Sequence, residues 1–197
     1  MGLRIWKNYT KPLLISDRFG WLRYNHTMAI NQDPLVHQLV MCANVFVRKD
    51  DKFLLLKRSP LETIAPNIVH PIGGKLDANE DPLVAAQREL LEEAGITVTN
   101  IKLKAVVLEI HPDEITPENW LIFHFTGDYS GGTLTTTEEG DFVYLSADEI
   151  PKQSLFPSVR ELINDILDPH KGTVFATFEY DTNEQIIQSK KNIRYSA

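Results

Sequence analysis

Glu89, Glu92 and Glu93 stand at i, i+3 and i+4, a spacing that gathers three carboxylates on one face if the segment is helical. Like charges so placed repel by a few tenths of a kcal/mol per pair. They also precede Gly95, a natural helix terminator, and a helix C-terminus carries partial negative charge that favours cations over anions. Two unfavourable terms at one place call for a positive partner. Hard oxygen ligands suit Mg²⁺ or Mn²⁺. Arg88, four residues before Glu92, is spaced for a charge-assisted hydrogen bond that would orient that carboxylate. Upstream, Gly73-Gly74 permits a sharp turn in which backbone approaches a bound ion, with the Gly73 carbonyl a candidate ligand.

These residues need a helix and a turn to present them. Asp81 is an N-cap candidate, Pro82 suits the first helical position and Gly95 suits a left-handed C-terminal residue, so a helix is expected over 82–94. Leu83, Ala86, Leu90 and Ala94 would form its core stripe. Strands are expected at 39–48 and 52–57, about a turn at Lys49-Asp50-Asp51, and again at 100–110, 119–127, 141–145 and 173–180, with a second amphipathic helix at 157–168. That order gives an α/β class with a mixed sheet between helices. The domain is expected over 38–182, preceded by an aromatic-rich extension, 1–37, packed on it and followed by a polar tail, 183–197.

Gly74, Glu80, Arg88, Glu89, Leu90, Glu92, Glu93, Gly95 and Ile96 fill every defined position of G-x5-E-x7-R-E-U-x-E-E-x-G-U, with U aliphatic. The segment resembles the Nudix box, which covers 23 of the 197 residues. The resemblance implies a Nudix-type α/β/α sandwich and hydrolysis of a diphosphate linkage in a nucleoside diphosphate derivative, dependent on Mg²⁺ or Mn²⁺. It implies Glu92 and Glu93 as principal metal residues, Glu89 as ligand or water-orienting group, and Glu80 in the metal region or paired with Arg88. It also implies a downstream glutamate as general base, for which Glu139, with Glu138 beside it, is best placed. Trp120, Phe123 and Phe156 are candidates to stack on a base. Two substrate classes stay open, a MutT-type oxidised nucleoside triphosphate and an ADP-ribose-like compound. Pro112 points weakly to the second, and the absence of asparagine from 155–160 speaks against the first. Other readings are a catalytically silent nucleotide-binding module and the family's isoprenoid isomerase branch, for which Cys42 would have to serve as the catalytic thiol.

Composition narrows the partners. A net charge of −7 and no basic stripe argue against a nucleic-acid polymer. His111 and His124 have no metal-ligand spacing and read as surface or core residues. With one cysteine, no internal disulfide can form, and a reducing, cytoplasmic setting is expected. No apolar run reaches signal-peptide or membrane-span length, so a soluble protein taking a small-molecule nucleotide, as monomer or homodimer, is expected.

Overall fold

The computed structural model describes residues 39–61, 65–110, 119–135, 139–183 and 185–194. The expected N-terminal extension, together with His111, Pro112 and Glu138, lies outside the described residues. In chain order the elements are β1 (Leu39–Lys49), β2 (Lys52–Arg58), β3 (Val69–His70), β4 (Ile72–Lys75), α1 (Pro82–Ala94), β5 (Ile96–Ile110), β6 (Asn119–Gly132), β7 (Gly140–Ser146), a short 3₁₀ turn, α2 (Pro157–Leu167), β8 (Thr173–Tyr180) and β9 (Ile186–Arg194).

The described strands form one mixed sheet in the order β3-β2-β1-β6-β5-β8-β9, with β4 also on β1 and β7 on β2. The β1–β6 and β5–β8 pairs are parallel and the others antiparallel. Alternation along β1 divides the interior. Ala43, Val45 and Val47 pack with Leu54, Ile72 and the α1 residues Ala86, Leu90 and Ala94. Phe46 points the other way, into a larger core with Val107, Phe178 and the α2 residues Leu162, Ile163 and Ile166. The helices therefore cover opposite faces, as an α/β/α sandwich requires.

Helix α1 has the expected bounds for the expected reasons. Asp81 Oδ1 accepts from the backbone N–H of Leu83 at 2.9 Å and of Val84 at 3.1 Å, and Gly95 closes the helix with φ 67°, donating to the Leu90 and Leu91 carbonyls. One core position differs: Leu83 is 42 % exposed and Ala85 is buried instead. Small Ala85 and Ala86 let the helix backbone approach the sheet closely.

The other departures concern strands whose burial signal is weak. β5 begins at Ile96 rather than 100, directly after the helix, because its first residues, mixed apolar and polar, pair with the end of β6, the ladder running on through three register irregularities. β6 correspondingly runs on to Gly132 rather than stopping at 127. Residues 186–194, read from sequence as polar tail, form β9. It pairs antiparallel along all of β8, from Thr173↔Arg194 to Tyr180↔Ile186. Its side chains are mostly exposed, so it has no hydrophobic alternation to read. Backbone hydrogen bonds hold it, together with buried Asp165 of α2, whose carboxylate pairs with Lys191 at 2.7 Å and also with Lys171.

His124 of β6 is 1 % exposed with both ring nitrogens unpartnered, its ring 5.9 Å from that of Phe46. Burial lowers its pKa to about 4, against a weak opposing pull from Glu109. The ring is neutral in the fold and protonates more readily when unfolded. This contribution to stability is intact above the unfolded-state pKa near 6.5 and is lost as pH falls toward 4. The unfolding free energy of His124→Phe should fall less steeply than that of wild type between pH 6.5 and 4, the slopes differing by up to about 1.4 kcal/mol per pH unit, with the melting temperatures following. Parallel thermal-denaturation curves for the two proteins would refute the assignment.

Candidate active site

The site forms where α1 ends above β4. Gly73 and Gly74 pair with Asn44 and Ala43 of β1, and each glycine is required for a different reason. Gly73 has φ 149°, and a Cβ there would lie 2.1 Å from the Ala43 carbonyl oxygen. At Gly74 a Cβ would meet the Glu89 carboxylate at 2.7–2.8 Å, so this glycine is the floor on which Glu89 rests.

Arg88 organises the acidic face. Its Nε donates to Glu80 Oε1 at 3.0 Å and one terminal nitrogen to Glu80 Oε2 at 2.9 Å, a two-pronged grip. The other terminal nitrogen donates to Glu89 Oε1 at 2.8 Å and Glu92 Oε2 at 3.0 Å. The Lys75 carbonyl takes a further bond at 3.0 Å. The i, i+4 contact with Glu92 is the one its spacing predicts. Glu80, assigned by resemblance to the metal region or to the arginine, is in the arginine's grip, with Oε2 also accepting from the Asp77 N–H at 3.0 Å. Arg88 holds the Glu80 carboxyl below its ordinary range, and the guanidinium itself stays charged well beyond any accessible pH.

Glu89 and Glu93 behave differently. Both sit against the Gly73-Gly74 turn. Burial raises the pKa of Glu89 despite Arg88, with Glu92 and Glu139 adding to the rise. Glu93 is pushed up to about 8, first by burial, then by the negative charges of Glu139 and Glu89, while a hydrogen bond from the Gly73 backbone works the other way. Glu93 Oε2 is buried with no hydrogen-bond partner. Exposed Glu92, at 60 % of its side chain, turns outward to Arg88 rather than toward Glu93. Accordingly, among the described residues no three acidic, histidine or cysteine side chains already form a closed metal cage.

Glu139 approaches from another element. The Ser59 N–H donates to its carbonyl at 2.7 Å. The next residue, Gly140, lies so close to β2 that a Cβ would stand 2.0 Å from the Lys57 carbonyl oxygen. That close approach brings the Glu139 charge within reach of Glu89 and Glu93.

The three aromatic candidates separate. Phe156 lies on the α2 side, edge-on to His70 at 6.4 Å, and Trp120, two residues before Ile122 of that same core, shares the face by strand alternation. Phe123 packs into the core beneath α1, so it stands on the other face of the sheet from the first two. Lys75 was not singled out from sequence, yet its Nζ lies 5.4 Å from the Trp120 ring centroid while its carbonyl binds Arg88. Its adjacency to Gly74 was the available signal. Cys42 is buried and its thiol is pushed to about 11, chiefly by desolvation. That pKa is ill-suited to the nucleophilic role the isomerase reading would ask of it.

A mixed sheet between two helices, with this arginine-bound acidic helix end over a glycine turn, defines a class that comparison also recovers. The family model described as NUDIX domain matches residues 38–166, and the chain belongs to the Nudix hydrolase family. It is 30% identical over 106 residues to the 8-oxo-dGTP diphosphatase of Escherichia coli (strain K12), covering 53% of this chain and 82% of that one. It is 28% identical over 111 residues to the mouse 8-oxo-dGDP phosphatase NUDT18, covering 56% of this chain but only 32% of that protein's length. The crystal structure of a MutT mutator protein from Bacillus halodurans has the same fold, with a TM-score of 0.68 at 24% identity, covering 78% of this chain and 97% of that one.

The two glycines yield opposite expectations. Gly73→Ala forces a positive φ and a backbone overlap, and should lower stability by at least about 1–3 kcal/mol. Gly74→Ala meets only the movable end of Glu89, so it should melt near wild type while losing most activity. Melting curves and turnover of both variants check this, and a Gly74→Ala protein as active as wild type would show that the position of Glu89 is immaterial.

Proposed function

We propose that the chain hydrolyses the diphosphate linkage of a nucleoside triphosphate of the oxidised-guanine type, with a divalent cation held at the end of α1. The observation that carries the reading is the buried, partnerless Oε2 of Glu93 beside Glu89 over a glycine turn. A carboxyl oxygen withdrawn from water without a partner is costly, and an oxygen-seeking cation, which would hold the group ionised, is the partner its chemistry suits. Mg²⁺ or Mn²⁺ fits this donor set of carboxylates and backbone carbonyl. Glu93 and Glu89 would hold it, with Glu92 swinging from Arg88 and the Gly73 carbonyl as further donors. Such an ion, when bound, supplies polarisation of the phosphoryl oxygens and cancels the negative charge of the diphosphate.

The remaining work falls to the chain's own groups. Arg88 keeps Glu92 and Glu89 oriented and anchors the loop carrying Glu80 to the helix. Glu139, close to Glu93 and Glu89 but on a different element, is the proposed general base that takes the proton from the attacking water. The oxidised-guanine class is favoured over ADP-ribose-like compounds by the names of two relatives, the Escherichia coli 8-oxo-dGTP diphosphatase and mouse NUDT18. No helix among the described residues is long and apolar enough to cross a membrane, and the net charge of −7 suits a small nucleotide brought in with its cation better than a polymer. A cytoplasmic setting belongs to the same proposal.

Two experiments test this. Wild-type protein should melt at higher temperature with Mg²⁺ or Mn²⁺ than after chelation. Glu93→Gln should fold, lose that shift and lose turnover of 8-oxo-dGTP. Full activity after exhaustive chelation would overturn the metal assignment. Separately, Glu139→Gln should lower kcat by about 10²–10⁴-fold while keeping the metal-dependent melting shift. If kcat stays within about threefold of wild type, the base is another group, with Glu89 the next to test.

A further inference from the structure

We infer that Glu109, directly opposite Trp120 on the α2 side of the sheet, selects the substrate's nucleobase by accepting from the N1–H and N2–H groups of a guanine-type ring laid against that tryptophan. The inference rests on the hydrolase reading above and adds a specificity residue to it.

Alternation along β5 gives the first reason. Ala105 and Val107 enter the core beneath α2, and Glu109 continues that row. A half-buried carboxylate at the end of an apolar row is unfavourable unless it is hydrogen-bonded. Its Oε1 accepts from the buried Tyr180 hydroxyl at 3.1 Å, which holds the side chain in place on this face. The second reason is the partner across the strand. The register sets Glu109 against Trp120, close enough for direct side-chain contact. Carboxylate and indole thus form one polar-edged aromatic shelf. The third is continuity with the hydrolytic end. The Lys75 ammonium over Trp120 belongs to the residue after Gly74, on which Glu89 rests. Cys42 of β1 feels the charges of Lys75, Glu89 and Glu109 together, so a ring on the shelf would lead its phosphate chain past the Lys75 ammonium toward the acidic end of α1 across β4. The Glu109 charge also reaches Cys42, His124 and Tyr180, in each case as a smaller influence than burial.

The chemistry follows from the donor inventory. An ionised carboxylate only accepts, and its two oxygens match two adjacent donors. Guanine presents N1–H beside N2–H₂, hypoxanthine presents N1–H alone, and adenine turns an acceptor nitrogen toward the carboxylate, leaving it unsatisfied. A site built to bond such an edge discriminates strongly against a ring lacking it. The oxidised carbon lies on the opposite edge of the purine, so Glu109 would read guanine whether or not it is oxidised.

Wild type, Glu109→Gln and Glu109→Asp are compared, as full chains with Mg²⁺, for kcat and KM on dGTP, dITP and dATP, and for calorimetric binding of dGMP and dAMP. The amide of Gln can still accept from Tyr180, so a merely structural role leaves base preference untouched. Wild type should prefer dGTP, then dITP, then dATP. Glu109→Gln should raise KM for dGTP by about tenfold or more, with dATP changed less than about threefold, and weaken dGMP binding in parallel. Glu109→Asp should retain the order of preference with weaker binding. A guanine-to-adenine ratio in Glu109→Gln within about twofold of wild type overturns the inference while leaving the hydrolase reading intact. Absence of any hydrolysis of oxidised or unoxidised nucleotide, with dGMP binding that depends on Glu109, overturns the hydrolase reading and leaves the base site standing. Equal wild-type binding of dGMP and dAMP overturns the base site outright.

Discussion

The guanidinium of Arg88 allows an acidic cluster to sit at the end of a helix. Three glutamates within one turn, at the terminus where the peptide dipoles add their own negative charge, would otherwise favour fraying. Arg88 donates to carboxylates on both sides, Glu80 from the loop before α1 and Glu89 and Glu92 from the helix, and to the Lys75 carbonyl of β4. Its planar fork can satisfy these acceptors at once, which the single ammonium of lysine cannot do in the same geometry. The loop, the helix and the strand are consequently fixed relative to one another by one side chain.

What Arg88 leaves unneutralised is as informative as what it holds. Glu93 lies beyond its reach, desolvated, facing Glu89 and Glu139, with one oxygen partnerless. A fold optimised for stability alone would not keep that group. An unsatisfied polar oxygen at this one place, while both cores on either side of the sheet are apolar and well packed, is what the proposed cation site would account for.

The sheet places this site through β1. It pairs with β2 and β4 along one edge and with β6 along the other, and its alternate residues feed both cores. Because β4 lies on β1 by main-chain pairing at Gly73 and Gly74, helix α1 can approach only as closely as the absence of two side chains permits. The same pairing aims Lys75 toward Trp120 on the opposite side of the sheet. The acidic face and the aromatic shelf are therefore joined through a single four-residue strand.

Local chemistry was readable in the chain itself. Asp81, Pro82 and Gly95 specify the limits of α1 because caps and terminators act within a few residues, and the Arg88–Glu92 contact follows from helical spacing. Complete occupation of the box positions identified the family and hence the α/β/α layers. Only the tertiary structure decided that Glu80 pairs with Arg88, that Phe123 and Trp120 face opposite sides, that Glu139 comes close to Glu93, and that the polar segment 186–194 is a strand. Each of these depends on which backbone lies beside which across long sequence separations. β9 shows the reason most plainly: its pairing is made of main-chain hydrogen bonds, identical for every residue type, and of a lysine meeting a carboxylate 26 positions away, so nothing in its own side-chain pattern announces the partner.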